Sequence, residues 1–216
     1  MTSVEDDDIP QLSADTLEIL QAFLKEKEER EKLELEGGKD VNFEEDWQLS
    51  QFWYSAKTKS DLKAICQHII TDDTYKIGLL SCPSVYTSIK EIHKNVKIFE
   101  YDRRFASYGD DFVYYDFNEA DNPECLQEFQ NYFDLVIVDP PFLSEECMKK
   151  ISTIVKKVVK ADGKIIFCSG EVCEPWITTF LQLKKCNFKP EHDRNLGNEF
   201  ASYSNFDIDK ILKNTK

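Results

Sequence analysis

The chain has 216 residues, enough for one α/β domain with an added arm and a sizeable core. With 27 Lys and Arg against 41 Asp and Glu its formal net charge is −14, a surface that repels phosphate and lacks the basic footprint of a nucleic-acid binder. Seven scattered cysteines without a Cys-x-x-Cys pair, no signal peptide and no long apolar span are read as reduced thiols in a soluble intracellular protein with no membrane segment, and the three isolated histidines (His68, His93, His192) show no metal-ligand spacing.

Residues 1–10 form an acidic leader, Glu5-Asp6-Asp7-Asp8, whose composition predicts disorder. A helix is predicted to start at Ser13 as N-cap with Leu17, Leu20 and Leu24 on one face. Its continuation over residues 25–36 is almost wholly charged and ends at Gly37-Gly38. Residues 1–40 are therefore read as leader and charged linker, and residues 41–216 as the folded body. Residues 43–54 are unusually aromatic, with Phe43, Trp47, Phe52, Trp53 and Tyr54. A helix from Ser60, burying Leu62, Ile65, Ile69 and Ile70, leads to a strand over residues 76–81 and an exit turn at Cys82-Pro83-Ser84. Ser84 is placed as the cap of a helix that buries Val85, Ile89 and Ile92. Strands over residues 96–101 and 112–115, a helix over 123–132 and a strand over 133–138 follow. Next comes a helix capped by Ser144, with Glu145 and Glu146 in its first turn, a buried stripe of Cys147, Ile151, Ile154, Val155, Val158 and Val159, and an end at Ala161-Asp162-Gly163. The chain closes with a strand over 164–168, a helix from Pro175 through Ile177, Phe180 and Leu181, and two short strands, 187–192 and 200–206. Seven strands alternating with helices predict a doubly wound, mostly parallel α/β sheet with an antiparallel edge, preceded by an N-terminal helical arm.

The chemistry is expected at the end of the fourth strand. Phe133-Asp134-Leu135-Val136-Ile137-Val138 has the length and β-branching of a strand buried on both faces, and Pro140 and Pro141, which lack N–H groups, stop it at Asp139. A carboxylate, two stiff carbonyls and the Phe142 ring are thereby presented at the edge where open α/β sheets bind ligands. Glu100 ends the second strand, where an acid can accept both hydroxyls of a ribose. Asp116-Phe117 follows the third, an acid for an amino group beside a ring to stack on a base. The absence of Gly-x-Gly-x-x-Gly disfavours a nicotinamide cofactor.

Asp139-Pro140-Pro141-Phe142 resembles the motif (Asp, Asn or Ser, then Pro-Pro and an aromatic) of amino-methyltransferases that use S-adenosylmethionine. The resemblance implies a Rossmann-like methyltransferase domain over residues 41–216, with Asp139 and the Pro140 carbonyl receiving the target amine, Phe142 packing on the group that carries it, and Asp139 bordering the cofactor as well. It also implies that Glu100 holds the cofactor ribose and Asp116 and Phe117 its adenine. The family's Gly-x-Gly turn is replaced here by Ser81-Cys82-Pro83-Ser84, so Ser81 and Ser84, with the N–H groups of Ser84 and Val85, are the candidates for the methionine end. Phe52, Trp53 and Tyr54 are similar to an aromatic stretch that folds over that end. Longer runs, including Trp47-Gln48-Leu49-Ser50-Gln51, Phe99-Glu100-Tyr101-Asp102-Arg103-Arg104 and Arg194-Asn195-Leu196-Gly197-Asn198-Glu199-Phe200, resemble eukaryotic enzymes, once described as adenine-specific DNA methyltransferases, that methylate a lysine of elongation factor 1-alpha. Phe142 stands where Tyr is more frequent, which removes a hydroxyl and keeps the ring. The resemblance implies a cytoplasmic protein-lysine N-methyltransferase with elongation factor 1-alpha as its partner and no metal. N6-adenine methylation of nucleic acid is the alternative, and a silent binding module the third reading; the charge opposes the former and the retained Asp139 and Glu100 the latter.

Overall fold

The computed structural model describes Lys25, residues 43–194 and residues 196–215. The expected acidic leader, the helix from Ser13 and the Gly37-Gly38 linker lie outside the described residues. The body is one seven-stranded sheet of order β3-β2-β1-β4-β5-β7-β6, built from β1 (Ile77–Leu80), β2 (Val96–Glu100), β3 (Phe112–Tyr114), β4 (Phe133–Val138), β5 (Val159–Gly170), β6 (Lys184–Lys185) and β7 (Phe200–Ser204). All pairs from β3 to β5 are parallel, and β7 runs antiparallel to both β5 and β6. The chain winds outward from β1 through β2 to β3, then returns to lay β4 against the other side of β1. The strand order reverses between β1 and β4, so a crevice opens at their carboxyl ends.

Period-two alternation in β4 builds both cores at once. Leu135 and Ile137 pack with Leu62, Ile65 and Ile69 of α1 (Ala56–Ile69) on one face. Val136 and Val138 pack with Ile151, Ile154 and Val155 of α3 (Glu145–Val158) on the other. Asp134, the strand's one polar residue, accepts the Lys76 amide at 2.8 Å and pairs with Lys160. The remaining helices are α2 (Tyr86–Lys90), α4 (Glu174–Leu181) and α5 (Ile208–Asn214).

Several predicted boundaries move, each for a local reason. α1 starts at Ala56, because the Ser55 side chain, not Ser60, caps it by accepting the Thr58 amide. Ser84 caps nothing: its Oγ accepts the Tyr54 amide at 3.4 Å, and α2 follows a short 3-10 turn opened by Pro83. No α-helix spans 123–132, since Leu126 and Asn131 adopt φ of 51° and 51°, which ends helical propagation at each. The edge strand expected at 187–192 is instead the two residues of β6: the Asn187 and Phe188 amides turn away to the Asp209 carboxylate at 2.8 and 3.0 Å. The C-terminal α5, not foreseen, is capped by Asp207 and buries Ile208 and Ile211 against α1.

α3 is capped by Ser144 as expected but stops at Val158, before Gly163, because the Asn131 and Tyr132 amides take the carbonyls of Lys157 and Val158 at 2.9 Å each. Val159 then pairs with Phe133 and Lys164 with Leu135, so residues 160–163 bulge out of the ladder. Gly163 closes that bulge: a Cβ there would lie 2.5 Å from Val159 Cγ2 and 3.0 Å from the carbonyl oxygens of both Lys160 and Phe133. Two of these three neighbours are backbone and cannot yield cheaply. Gly163→Ala is therefore expected to lower stability by about 1–3 kcal/mol, read from urea midpoints at unchanged m-value.

Candidate active site

The site starts where β1 ends. Ser81 takes φ 53°, the left-handed conformation that glycine adopts freely, and its amide donates to Phe99 O of β2 at 3.0 Å. A residue with a Cβ held there carries roughly 1–2 kcal/mol of local strain. The tight turn expected of a glycine is thus made by a serine, and the chain leaves the sheet toward Cys82 with its backbone facing the crevice. The Val85 amide is already bonded to Cys82 O at 3.4 Å, so it is not one of the open donors anticipated at this turn.

At the end of β2, Glu100 is buried, and the amides of Tyr101 and Asp102 both donate to its Oε2, at 2.8 and 3.4 Å. Among the described residues Oε1 accepts nothing, and Glu100 borders the crevice. Burial pushes its carboxyl up to about 7, with the Asp102 charge adding to the rise and the two amides opposing it. Asp102 itself faces away and organises the surroundings. It accepts from Arg104 Nε at 2.8 Å and from Gln51 Nε2 at 3.1 Å, and Arg104 also donates to Gln51 Oε1 at 3.1 Å. This triangle ties the aromatic segment before α1 to the β2 loop. Beyond β3, Asp116 Oδ1 caps the next turn by accepting the Asn118 amide at 2.8 Å, and the Phe117 ring meets Phe142 edge-on at 5.9 Å.

The last ladder bond before the prolines is Asp139 N–H to Leu80 O, 3.0 Å. Asp139 keeps part of its surface open to the crevice while protein encloses the rest, and that enclosure pushes its carboxyl up to about 7. Around it stand the Tyr54 phenol and the thiols of Cys82 and Cys168, all pushed well up by burial and all protonated at neutral pH. Phe142 is 47% exposed beside it.

These strand ends meet in one cavity of about 550 Å³, within the range of small-molecule sites. Phe52, Trp53, Ser81, Ser84, Glu100, Asp116, Phe117, Asp139, Pro140 and Phe142, all singled out from the sequence, lie in its wall. Tyr54 does not; it is fully buried one layer behind, against His192. Further parts of the wall had no expected site role: Gln48, Gln51, Tyr101, Leu196, Gly197, Asn198 and Phe200, quoted only within the runs that carry the resemblance, and Asn118 and His192. The stretch 192–200 packs on the aromatic segment through Asp193 N–H to Trp53 O at 2.8 Å, the Tyr54–His192 bridge, and an Arg194–Glu45 ion pair at 3.1 Å. Only the density of Gly, Asn and charge between two apolar runs hints at it, and that pattern marks a loop without telling what it covers.

The strand order, with acids at the ends of β2 and β3 and an Asp-Pro-Pro turn at the switch point, defines a Rossmann-like methyltransferase domain. Residues 45–208 match the family described as probable N6-adenine methyltransferase, and the chain belongs to that family. It is 49% identical to protein-lysine N-methyltransferase CG9154 of Drosophila melanogaster, over 97% of this chain and 99% of that one. Identity to the EEF1A lysine methyltransferase 1 of Homo sapiens is 43%, over 96% and 97% of the two chains. Among solved structures, the ribosomal protein L11 methylase of Lactobacillus delbrueckii subsp. bulgaricus aligns with a TM-score of 0.47 and 12% identity, over 71% of this chain and 79% of that one.

Glu100 makes the site's electrostatic cost measurable. Its folded pKa lies above the unfolded value, so the neutral carboxyl favours folding below about pH 4, and that contribution is lost as pH rises through about 7. Glu100→Gln, whose amide oxygen can still accept the two backbone bonds, is expected to be more stable than the parent by about 1–3 kcal/mol at pH 8 and no more stable at pH 4, measured by urea unfolding at the two pH values.

Proposed function

We propose that this protein transfers a methyl group from S-adenosylmethionine to a lysine side chain of elongation factor 1-alpha, and that it works in the cytoplasm with that partner. The observation that carries this reading is the convergence of Glu100, Asp116 and Asp139, from the carboxyl ends of β2, β3 and β4, on one cavity. The names carried by relatives at 43 and 49% identity over nearly the whole chain support the lysine acceptor. The net charge of −14 does too, because it attracts a basic protein and repels a phosphate backbone.

The residues fit the cofactor. Glu100 Oε1 is uncommitted and positioned for ribose hydroxyls; Asp116, with one oxygen used as a cap, retains Oδ2 for an adenine amino group beside the Phe117 ring. Phe52 and Trp53 would cover the methionine end, with the backbone at Ser81 approaching it from below. Bound there, S-adenosylmethionine supplies an electrophilic methyl and a positive charge. The chain's task is the amine. A lysine ammonium has no lone pair, and its neutral form costs roughly 4.6 kcal/mol at pH 7. Enclosure and the cofactor's positive charge favour that neutral form, the ammonium proton passing to water, while Asp139 and the Pro140 carbonyl accept the amine's N–H bonds and aim the lone pair. The exposed Phe142 ring packs on the alkyl stem.

Labelled methyl offered to a mixture of elongation factor 1-alpha, DNA and total RNA should appear on a lysine of the protein; label on adenine with none on lysine would reverse the acceptor. Asp139→Ala should lower turnover by roughly a hundredfold while leaving cofactor affinity within about twofold, with Asp139→Asn recovering part of the loss. In calorimetry Glu100→Ala should weaken cofactor binding by about 1.5–3 kcal/mol, and an unchanged affinity removes Glu100 from the ribose site.

A further inference from the structure

Behind the cavity wall, the Tyr54 side chain is fully buried, and among the described residues its hydroxyl has no hydrogen-bond partner. A buried hydroxyl left unpaired is destabilising, so its retention calls for a reason. Its position is held firmly by groups other than the hydroxyl. The Tyr54 amide donates to Ser84 Oγ, its backbone bridges His192, and its ring lies 5.0 Å from the His192 ring. Its ring shares a core cluster with Ile137 and Cys168, and its hydroxyl stands beside both the Cys168 thiol and the Asp139 carboxyl, near enough to alter the proton affinity of each, yet outside the geometry of a formed bond.

The polar neighbours of Asp139 leave Tyr54 as the one donor suited to it. From β4's flanks come the Cys82 thiol, which donates to Ile137 O at 3.4 Å, and the Cys168 thiol of β5; from the end of β2 comes the Glu100 charge. The first thiol is engaged, thiols are weak donors, and Glu100, its own carboxyl raised to about 7, has one oxygen taken up by the Tyr101 and Asp102 amides. His192, on the far side of Tyr54, is held low, at about 4, by its own burial and brings no charge at neutral pH. The phenol, protonated throughout the working pH range, is a donor beside a carboxylate that, among the described residues, accepts no formed hydrogen bond.

We propose that Tyr54 is a positioning residue for the methyl acceptor: when the site fills, its hydroxyl donates to one oxygen of Asp139, so that the other oxygen is turned toward the substrate amine. The role rests on Asp139 receiving that amine, as argued above. Such a bond favours the ionised carboxylate, so losing it raises the Asp139 pKa from a value that burial has already lifted to about 7.

The test is Tyr54→Phe, which removes one oxygen that bonds to no other described residue and should leave the melting temperature equal to or above the parent's. At saturating S-adenosylmethionine, kcat/KM for the protein acceptor should fall about tenfold at pH 7, the size of one hydrogen bond to a charged group. The deficit should shrink to less than about threefold at pH 9, where Asp139 is ionised in both proteins. Cofactor affinity should stay within about twofold, since Tyr54 does not reach the cavity wall. A second reading uses carboxyl carbon NMR with S-adenosylhomocysteine bound and no acceptor present, the Asp139 signal being assigned by its loss in Asp139→Asn. Its titration should move up by about half a unit to one unit in Tyr54→Phe. This measurement gives the same answer whichever amine the enzyme methylates, so it separates failure of the Tyr54 role from failure of the lysine assignment. An unmoved Asp139 titration overturns the proposal, and so does a deficit equal at every pH with a lowered melting temperature, which would make Tyr54 a packing residue.

Discussion

Two prolines placed directly after a strand buried on both faces decide where this protein can do chemistry. Leu135, Val136, Ile137 and Val138 are each fully buried, and such side chains contribute about 1.5–3 kcal/mol apiece. That sum, roughly 6–12 kcal/mol, exceeds the cost of enclosing one carboxylate whose pKa is lifted by about three units, at most about 4 kcal/mol and less where the cavity admits water. The strand can therefore carry Asp139 to the floor of a cavity that the carboxylate by itself would leave. Pro140 and Pro141 then forbid any continuation of the ladder, so the chain turns out of the sheet here and Asp139, Pro140 and Pro141 line the cavity together.

The parts of the fold that local chemistry dictates were legible in advance. The β4 strand is bounded by Phe133 and the prolines, and α3 announces its start with Ser144 followed by two acids. The acidic strand ends Glu100 and Asp116 could be placed because their strands could. What was not legible depends on partners distant in sequence. Nothing near Asn187 reveals that Asp209, 22 residues on, will take its amide. The apolar spacing of residues 123–132 suits a helix, and only the left-handed turns at Leu126 and Asn131 prevent one. The same holds in the site. Its strand-borne acids follow from local pattern, whereas its covering from residues 192–200 follows from contacts with Trp53, Tyr54 and Glu45 that no window of sequence contains. Tyr54 fell between the two: its aromatic neighbourhood was visible, but which of three adjacent rings would turn inward was settled by the bridge to His192.

The family's description and the relatives' names point to different acceptors, adenine and lysine, and the two share more chemistry than the names suggest. Both present a nitrogen that needs hydrogen-bond acceptors to aim its lone pair, and the Asp-Pro-Pro turn supplies them without regard to what carries the nitrogen. Discrimination has to come from the rest of the surface. Aromatic stacking alone would admit either acceptor. A net charge of −14 attracts a basic protein and repels a polyanion at long range, which is the one feature of this chain that separates the two acceptors before contact.

The covering of the cavity has a consequence for how the protein comes into being. Its two halves, residues 43–54 and 190–200, are separated by most of the chain, and each secures the other. During synthesis the sheet from β1 to β5 can assemble, with all three acids at its edge, while the segment that closes over them is still inside the ribosome. A nascent chain at that stage holds the Asp139 carboxylate in an open trough with half a wall. The cavity wall is complete only when both segments are in place, and a small molecule that touches both then favours the form in which they are joined.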